Sequence, residues 1–368
     1  MYNIIKKENI DISYDQKMKY NGEYDLNLLN RLVNFYKNSN LCNYEPESQI
    51  YKFKSENMWE RVTYVFKIIE LMTSYKNNEI TANELLKILY NFYRWEGTRG
   101  YGACGEIICY EQNKEEYIKS TIFLYEKWKE LTTEMVVDEN LLLSTIFPGN
   151  LFGFIDGEKV LTRSSFKYYY NALQIKNLLD FNEDNIIVEI GGGWGAQIYQ
   201  LYNSVSYNGK VICFDLPEVS FIAASYLCNV LPDKKIYLYN KTDEDNLEKI
   251  IRENDIIMLP NRLSHSLKCF PDNFVDMVFN SHSLVEIGST NVISYIDLTN
   301  KILKNDGLFF HKNHNILFDL DKIINDNTTW KLQYTELEYL SGVVNINDQA
   351  YGKYNSSLWK RSIKWKRR

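Results

Sequence analysis

The amino-acid sequence predicts an α/β protein in which a mainly helical N-terminal lobe precedes a mostly parallel β-sheet flanked by helices. Three observations support this prediction. Apolar residues recur at helical spacing through much of residues 26–131. From residue 185 onward, short apolar runs alternate with helical stretches, which is the pattern of a parallel sheet. At the start of that alternation, a buried-strand pattern runs directly into closely spaced glycines.

In the N-terminal lobe, apolar spacing predicts helices at residues 26–36, 59–75, 85–93 and 114–131. Thr81 with Glu84 is a capping box for the third helix, and Asn113 with Glu116 is the cap pair for the fourth. Residues 94–105 contain four glycines among aromatic and charged side chains, which excludes a regular helix. A Pro-Gly-Asn turn follows at 148–150, so we predict two domains, residues 1–148 and 149–368.

The second domain begins with a helix predicted at residues 166–179. The sheet is predicted from strands at 186–190, 210–215, 255–259, 275–280 and 307–311, with a short additional strand at 235–239. The intervening helices are predicted at 196–204, 218–230, 247–253 and 292–303, the last closed by a turn at 305–307. Two further strands, at 328–336 and 356–363, are expected to form an antiparallel C-terminal hairpin.

Composition and charge exclude several functions. The net charge of −6 gives no overall field that would attract nucleic acid. Six cysteines without CxxC spacing indicate neither a disulfide framework nor a zinc site, and we predict no metal. The N-terminus has charges where a signal peptide needs an apolar core, and no apolar run reaches membrane-spanning length. These features predict a cytoplasmic protein without a transmembrane segment.

The basic C-terminus is the one exception to the acidic charge balance. A solvated tail after a final strand is the favoured interpretation, and weak contact with an anionic glycan or a membrane surface is the alternative. The residues concerned are Lys360, Arg361, Lys364, Lys366, Arg367 and Arg368. Monomer and homo-oligomer both remain open.

The glycine-rich run that follows the first strand of the sheet carries most of the chemical information. Residues 187–195 read Ile-Val-Glu-Ile-Gly-Gly-Gly-Trp-Gly, which places Glu189 in a Glu-x-Gly-x-Gly-x-Gly pattern. Glycine permits positive φ and close approach of a ligand to the backbone. A helix starting near Ala196 would direct its free N–H groups at that ligand. The pattern therefore predicts a nucleotide-like cofactor.

Asp215 ends the next predicted strand, where a carboxylate can accept hydrogen bonds from both hydroxyls of a ribose. A dinucleotide fold also places an acid at about this distance from its glycines, so Asp215 alone does not separate NAD from other cofactors. Two features argue against NAD. One is Glu189 together with the additional Gly195, and the other is the helical lobe of nearly half the chain that precedes the glycines.

With these residues identified, the sequence resembles the class I S-adenosylmethionine-dependent methyltransferases, whose sheet is Rossmann-like. More specifically, it resembles the sugar O-methyltransferases of bacterial surface-glycan gene clusters. The resemblance extends from about residue 149 to the C-terminus and is carried by residues 188–195, 214–217, 257–260, 276–286 and 307–310.

The resemblance implies S-adenosylmethionine as the cofactor. Gly191, Gly193 and Gly195 would border its methionine moiety, Glu189 would face its amino group and Asp215 would hold its ribose. Many methyltransferases have an acidic or polar group after the third strand that contacts the adenine amine, and Asn261 occupies that place here. The remaining candidate cofactor-binding residues are Leu216 and Asn280.

Methyl transfer to a hydroxyl requires alignment of the reacting atoms and a group that accepts the hydroxyl proton. Histidine is the usual base near neutral pH, and only four are present. His282 follows the fourth strand of the sheet, with Glu286 four residues later to orient it or to bind a substrate hydroxyl, so this pair is the predicted catalytic pair. A packed loop histidine is the alternative for His282. His265 lies in a polar insertion and is predicted to be structural.

Binding of the methyl acceptor is expected to require residues outside the sheet. Arg94, Arg99 and Tyr101, in the glycine-rich segment of the helical lobe, are candidates, although a simple loop between helices is an equally good interpretation. His311 and His314, after the fifth strand, are further candidates for substrate binding. Either could also replace His282 as the base, and a divalent-metal site shared with a carboxylate is the remaining alternative for the two.

The predicted function is therefore S-adenosylmethionine-dependent O-methylation of a sugar hydroxyl in surface polysaccharide or glycan-precursor biosynthesis. A methyltransferase for a phenol or natural product, and a non-catalytic cofactor-binding scaffold that partners a glycosyltransferase, stay open as alternatives.

Overall fold

The computed structural model describes residues 1–6, 25–40, 63–95, 105–287, 289–314, 318–338, 340 and 354–361. Helices dominate the N-terminal part, as predicted. Their bounds are α1 Tyr2–Lys6, α2 Leu26–Asn40, α3 Thr63–Lys76, α4 Ala82–Tyr90, α5 Gly105–Gln112 and α6 Lys114–Leu131. The Thr81–Glu84 capping box of α4 is confirmed, and the side chain of Asn113 caps α6 by accepting from the Glu116 N–H.

A small antiparallel sheet and one long helix connect the helical lobe to the main sheet. The small sheet contains β1 Ser144–Thr145, β2 Phe154–Asp156 and β3 Lys159–Leu161, with β3 in the centre. Helix α7, Arg163–Leu178, starts at a capping box formed by Thr162 and Ser165. It starts earlier than the predicted helix at 166–179, because this polar box rather than the first apolar residue sets its beginning.

The main sheet has eight strands in the order β10-β11-β9-β8-β4-β5-β7-β6. The six strands from β4 to β9 pair in parallel and carry the predicted alternation with helices, whereas β10 and β11 form the predicted antiparallel hairpin. The chain therefore has the predicted Rossmann-like α/β fold. The strands are β4 Ile186–Ile190, β5 Lys210–Asp215, β6 Ile236–Leu238, β7 Ile256–Pro260, β8 Val275–Ser281, β9 Leu303–His314, β10 Lys331–Glu338 and β11 Tyr354–Lys360.

Five helices flank this sheet: α8 Ala196–Ser204, α9 Pro217–Val230, α10 Leu247–Glu253, α11 Ser289–Ile302 and α12 Leu320–Asn327. The predicted turn at 305–307 was wrong, because β9 starts immediately after α11 and includes these residues as an irregularity. Asp306 adopts a positive φ of 63° there, and the register to β8 shifts between Val275 and Met277. Helix α12 was not predicted from the sequence.

The helical lobe packs directly on the sheet domain. Helix α2 lies against α9, and the Arg31 guanidinium donates to the Ile236 carbonyl of β6 at 3.1 Å. Buried apolar residues from both parts belong to one continuous core. None of the helices in the described ranges combines the length and the apolar character needed to cross a membrane.

Candidate functional site

The carboxyl ends of β4 and β5 meet at the glycine turn. Gly191, Gly193 and Gly195 have positive φ values of 74°, 56° and 90°. Residues that have a Cβ rarely adopt such backbone conformations. Space is also restricted, because a Cβ at Gly191 would lie 2.0 Å from Oγ of Ser283. Helix α8 begins directly after the turn at Ala196. The N–H groups of Gly191 and Gly195 donate to the Phe214 and Gly192 carbonyls, at 2.7 and 3.0 Å, so the turn itself is held by hydrogen bonds within the protein. The N–H groups in the first turn of a helix have no partner within the helix, and those of α8 are therefore the predicted donors to a ligand.

Asp215, the last residue of β5, holds the glycine turn in place. Its Oδ2 accepts from the Gly193 N–H at 2.8 Å, and its Oδ1 accepts from the Leu216 N–H at 2.7 Å. Burial raises the pKa of Asp215 to about 7, although these two backbone hydrogen bonds oppose the rise. A carboxylate has about four acceptor positions, so the group that positions the turn also has lone pairs left for a ligand hydroxyl.

Glu189 is a buried carboxylic acid directly before the glycine turn. Its side chain is 4% exposed, and its Oε2 has no hydrogen-bond partner among the described residues. Burial raises the pKa of Glu189 to about 8, and the negative charge of Asp215 adds to the rise. A buried oxygen that accepts no hydrogen bond destabilises the folded protein unless a ligand donates a hydrogen bond to it. The group best suited to this position is a cationic hydrogen-bond donor such as an ammonium.

Two asparagines predicted to bind the cofactor lie at the same edge of the sheet. Asn280, in β8, is fully buried and donates from Nδ2 to the Ile190 carbonyl at 2.7 Å. Its Oδ1 accepts from Nδ2 of Asn313 at 2.8 Å, so it braces the glycine turn through protein partners. Asn261 opens a 3-10 turn after β7 and is partly exposed, which leaves it accessible to a ligand.

The two predicted catalytic residues follow β8. His282 has a positive φ of 74°, and its backbone N–H donates to the Lys312 carbonyl at 2.8 Å. Burial lowers the pKa of His282 far below its ordinary value, and the charges of Lys167, His314 and Lys312 lower it further. The imidazole is therefore neutral near pH 7, which is the state that accepts a proton.

Glu286 ends a 3-10 turn formed by residues 284–286, instead of the helical turn expected after His282. Burial raises the pKa of Glu286 to about 7, the Lys167 charge opposes the rise, and the Asp215 charge adds to it. Lys167 thus acts on both Glu286 and His282. The two predicted catalytic residues are thus connected by a 3-10 turn and share the electrostatic influence of Lys167.

The structure separates the two histidines of β9. His311 is buried, and its Nε2 lies 3.0 Å from Oδ1 of Asp321 in α12. Its cross-strand neighbour Ser357 also donates to Asp321, at 2.9 Å. Successive side chains along a strand alternate between the two faces, so His311 and His314 point to opposite sides. His314 lies on the side of His282, and His311 belongs to a buried network on the other side.

Of the three candidates from the helical lobe, Arg94 is the one that lies among the described residues. Arg94 donates from Nε to the Asn150 carbonyl at 3.0 Å, and its guanidinium lies 5.2 Å from the ring centroid of Phe152. These contacts make it a brace of the connecting segment. Arg99 and Tyr101 lie outside the described residues.

Sequence reasoning missed the contribution of α7 and of β9 to the charge of the site. Lys167 lies with its Nζ 4.6 Å from the ring centroid of Tyr168. Lys312 is 1% exposed, and its Nζ lies 4.8 Å from the ring centroid of Tyr170. The alternation of side chains along β9 could have identified Lys312 as a site residue, since it places Lys312 and His314 on the same face of the sheet. Among the described residues, no cluster of three or more His, Cys, Asp or Glu side chains is arranged to hold a metal ion.

An aromatic cluster joins the glycine turn to the helical lobe. Trp194 is almost fully buried and makes edge contacts with three tyrosine rings. Its ring centroid lies 5.2 Å from Tyr93, 5.9 Å from Tyr168 and 4.9 Å from Tyr226. The conformation of the turn therefore depends on packing contributed by the N-terminal lobe.

No family model and no curated protein matches the chain. Similar solved structures include the mitomycin 7-O-methyltransferase MmcR, at 12% identity and a TM-score of 0.34, which covers 54% of this chain and 55% of that one. They also include a TehB-like SAM-dependent methyltransferase from Corynebacterium glutamicum, at 12% identity and a TM-score of 0.36, covering 52% and 86%. A SAM-dependent methyltransferase from Aquifex aeolicus has 15% identity and a TM-score of 0.32, covering 50% and 87%. At TM-scores this low, we base the function on the residues of the site.

Proposed function

We propose that the protein is an S-adenosylmethionine-dependent O-methyltransferase that methylates a sugar hydroxyl. The assignment of this cofactor is supported mainly by the buried Glu189 carboxyl next to the glycine turn, because its Oε2 has no hydrogen-bond partner among the described residues. The cationic amino group of the cofactor's methionine end would provide the missing donor. Asp215, with lone pairs remaining at the end of β5, fits the ribose hydroxyls.

When bound, the cofactor supplies a methyl group that its sulfonium has already activated, so little covalent help from the protein is needed. The residues of the chain must align the acceptor and remove its proton. A ring nitrogen of neutral His282 accepts the proton of the attacking hydroxyl as the new oxygen–carbon bond forms and the sulfur–carbon bond breaks. Glu286, with a pKa near 7, either donates to or accepts from a neighbouring hydroxyl of the acceptor.

The sugar acceptor is supported by the polar character of this region and by the sequence resemblance. Lys167, His282, Glu286 and His314 offer hydrogen bonds on the acceptor side, which suits a polyhydroxylated ring better than a flat apolar phenol. We further propose that the helical lobe, residues 1–148, completes the acceptor site. Surface polysaccharide or glycan-precursor biosynthesis in the cytoplasm is the corresponding role.

The first test measures cofactor binding by calorimetry. Saturable binding of S-adenosylmethionine and S-adenosylhomocysteine without binding of NAD supports the proposal, and the reverse preference overturns it.

The second test incubates the protein with labelled S-adenosylmethionine and glycan from the native organism, followed by mass spectrometry of the product. Label on a sugar oxygen supports sugar methylation. Label on a phenolic product would assign the natural-product alternative, and binding without transfer to any extract would assign the scaffold alternative.

A further inference from the structure

Lys167 places a positive charge at the site and, among the described residues, has no carboxylate oxygen within 4.0 Å of its Nζ, although its charge acts on Glu286 from farther away. The residue lies in the first part of α7, and its side chain is only partly exposed. Its Nζ lies over the ring of Tyr168, 4.6 Å from the ring centroid. A ring face attracts an ammonium but accepts none of its three N–H donors as strongly as an oxyanion does. The ammonium is therefore available to a negatively charged ligand.

The contacts of α7 place this ammonium on the side of His282, because Tyr170, one turn after Lys167, contacts Lys312, whose carbonyl accepts from the His282 N–H. The charge of Lys167 lowers the pKa of both His282 and Glu286. The pKa of Glu189 is raised by burial and by the charge of Asp215. Lys167 is thus electrostatically coupled to the residues that would surround the reacting hydroxyl.

A second lysine adds positive charge on the same side. Lys312 is buried with its Nζ over the ring of Tyr170, and Tyr170 lies three residues after Lys167 on the same face of α7. The Lys312 carbonyl accepts from the His282 N–H at 2.8 Å, which fixes its strand next to the candidate base. Burial lowers the pKa of both nearby histidines, His282 and His314, which favours their neutral forms.

We propose that the methyl acceptor carries an oxyanion, a carboxylate or a phosphate, which Lys167 binds beside His282. This inference rests on the proposed function, because it assigns a substrate class to the same site. An oxyanion would give the ammonium strong acceptors in a partly desolvated position. It would also anchor the acceptor at a second point, which holds the reacting hydroxyl in line with the donor. The acceptor class is then an acidic or phosphorylated sugar.

The experiment uses the full-length protein saturated with S-adenosylhomocysteine. The probes are D-glucuronate, D-glucose 6-phosphate and neutral D-glucose, with dissociation constants measured by NMR titration. The variants are Lys167→Met, which keeps the length of the side chain, and Lys167→Arg, which keeps its charge. Lys234→Met is the matched control, because Lys234 Nζ lies 4.7 Å from the ring centroid of Tyr202 in an equivalent lysine–tyrosine contact on another part of the protein.

At least one acidic probe is expected to bind the wild-type protein about tenfold or more tightly than glucose. This preference should disappear in Lys167→Met and persist in Lys167→Arg and Lys234→Met. A carboxylate acceptor is distinguished from a phosphate acceptor by which of the two probes shows the preference. Equal binding of all three sugars to the wild-type protein would overturn the proposal, as would a preference that survives in Lys167→Met.

The carboxylate of the cofactor is the competing ligand for Lys167, and a second measurement separates the two. S-adenosylhomocysteine has this carboxylate, whereas 5′-methylthioadenosine lacks it. We expect both compounds to bind Lys167→Met within about twofold of the wild-type protein. A selective loss of S-adenosylhomocysteine affinity would assign Lys167 to the cofactor and overturn the inference. If the wild-type protein binds neither compound, the proposed function itself fails.

Discussion

Oδ2 of Asp215 accepts a hydrogen bond from the backbone N–H of Gly193 at 2.8 Å, so the acid that ends β5 holds the glycine turn that follows β4. The two sequence features that predict a nucleotide-like cofactor are therefore parts of one structure. Asp215 contributes in two ways, because it positions the turn and also presents its remaining lone pairs to a ligand. This arrangement leads to the first of five predictions.

The substitution Asp215→Asn replaces one of the two acceptor oxygens with a donor, and removes the charge that strengthens both backbone hydrogen bonds. We expect S-adenosylhomocysteine to bind at least about tenfold more weakly, as measured by calorimetry. Asp319→Asn is the control, since Asp319 caps α12 by accepting from the Lys322 N–H at 3.0 Å, on an element outside the site. Wild-type affinity in Asp215→Asn would exclude Asp215 from cofactor binding.

Glu189 predicts a pH dependence of cofactor binding. Its pKa of about 8 means that the group is largely protonated at pH 6.5, whereas an ammonium ligand favours the carboxylate. Affinity for S-adenosylhomocysteine should therefore rise as the pH increases from 6.5 to 8.5, by roughly tenfold. Calorimetry across this range measures the effect, and Glu189→Gln should show a flatter profile. A pH-independent wild-type affinity would contradict the role assigned to Glu189.

The same residue makes a separate prediction for stability without ligand. Because the folded-state pKa of Glu189 is raised above its unfolded value of about 4.5, its effect on folding is most favourable below that value and is lost as the pH rises through about 8. Glu189→Gln cannot ionise, so we expect it to raise the melting temperature at pH 8.5 more than at pH 5.5. Thermal unfolding of both proteins at the two pH values measures this. Equal shifts at the two pH values would show that ionisation of Glu189 does not oppose folding.

His282 is expected to affect turnover and not cofactor binding. In His282→Gln, methyl transfer should fall by about 100-fold or more because no group accepts the hydroxyl proton, while the affinity for S-adenosylhomocysteine stays within about twofold. Because burial and neighbouring positive charge lower the pKa of His282, the wild-type rate should show no decline attributable to this residue between pH 8 and pH 6.5. His265→Gln, in the 3-10 turn after β7, is the matched control. Undiminished turnover in His282→Gln would assign the base to another residue.

The ring of Trp194, which lies in the glycine turn, is expected to contribute strongly to the stability of the protein. Trp194→Ala removes a buried ring in contact with three tyrosines, which should lower the free energy of unfolding by about 3–5 kcal/mol in urea titrations. Trp194→Phe keeps a smaller ring and should lose less. If both variants retain wild-type stability, the cluster does not join the two parts of the molecule as described.

The sequence by itself determined the alternation of strands and helices, the glycine turn and the acid after the second strand of the main sheet. These features are local, since they depend on residue spacing along one element and on the freedom of glycine to adopt positive φ. The separation of His311 from His314 is also local, because two residues three positions apart on a strand point to opposite faces. The prediction that both line the acceptor site overlooked this alternation.

Only the tertiary structure decided which side chains share the site and what each one contacts. Lys167 and Lys312 are far from His282 in the chain, and the packing of α7 on the sheet places their charges where they act on it. Asn280, a cofactor candidate by position, is instead directed to the Ile190 carbonyl. The unusual pKa of Glu189 arises from its burial and from a charge on the neighbouring strand. Burial and electrostatic coupling depend on distances between separate elements, and residue order within one element does not contain them.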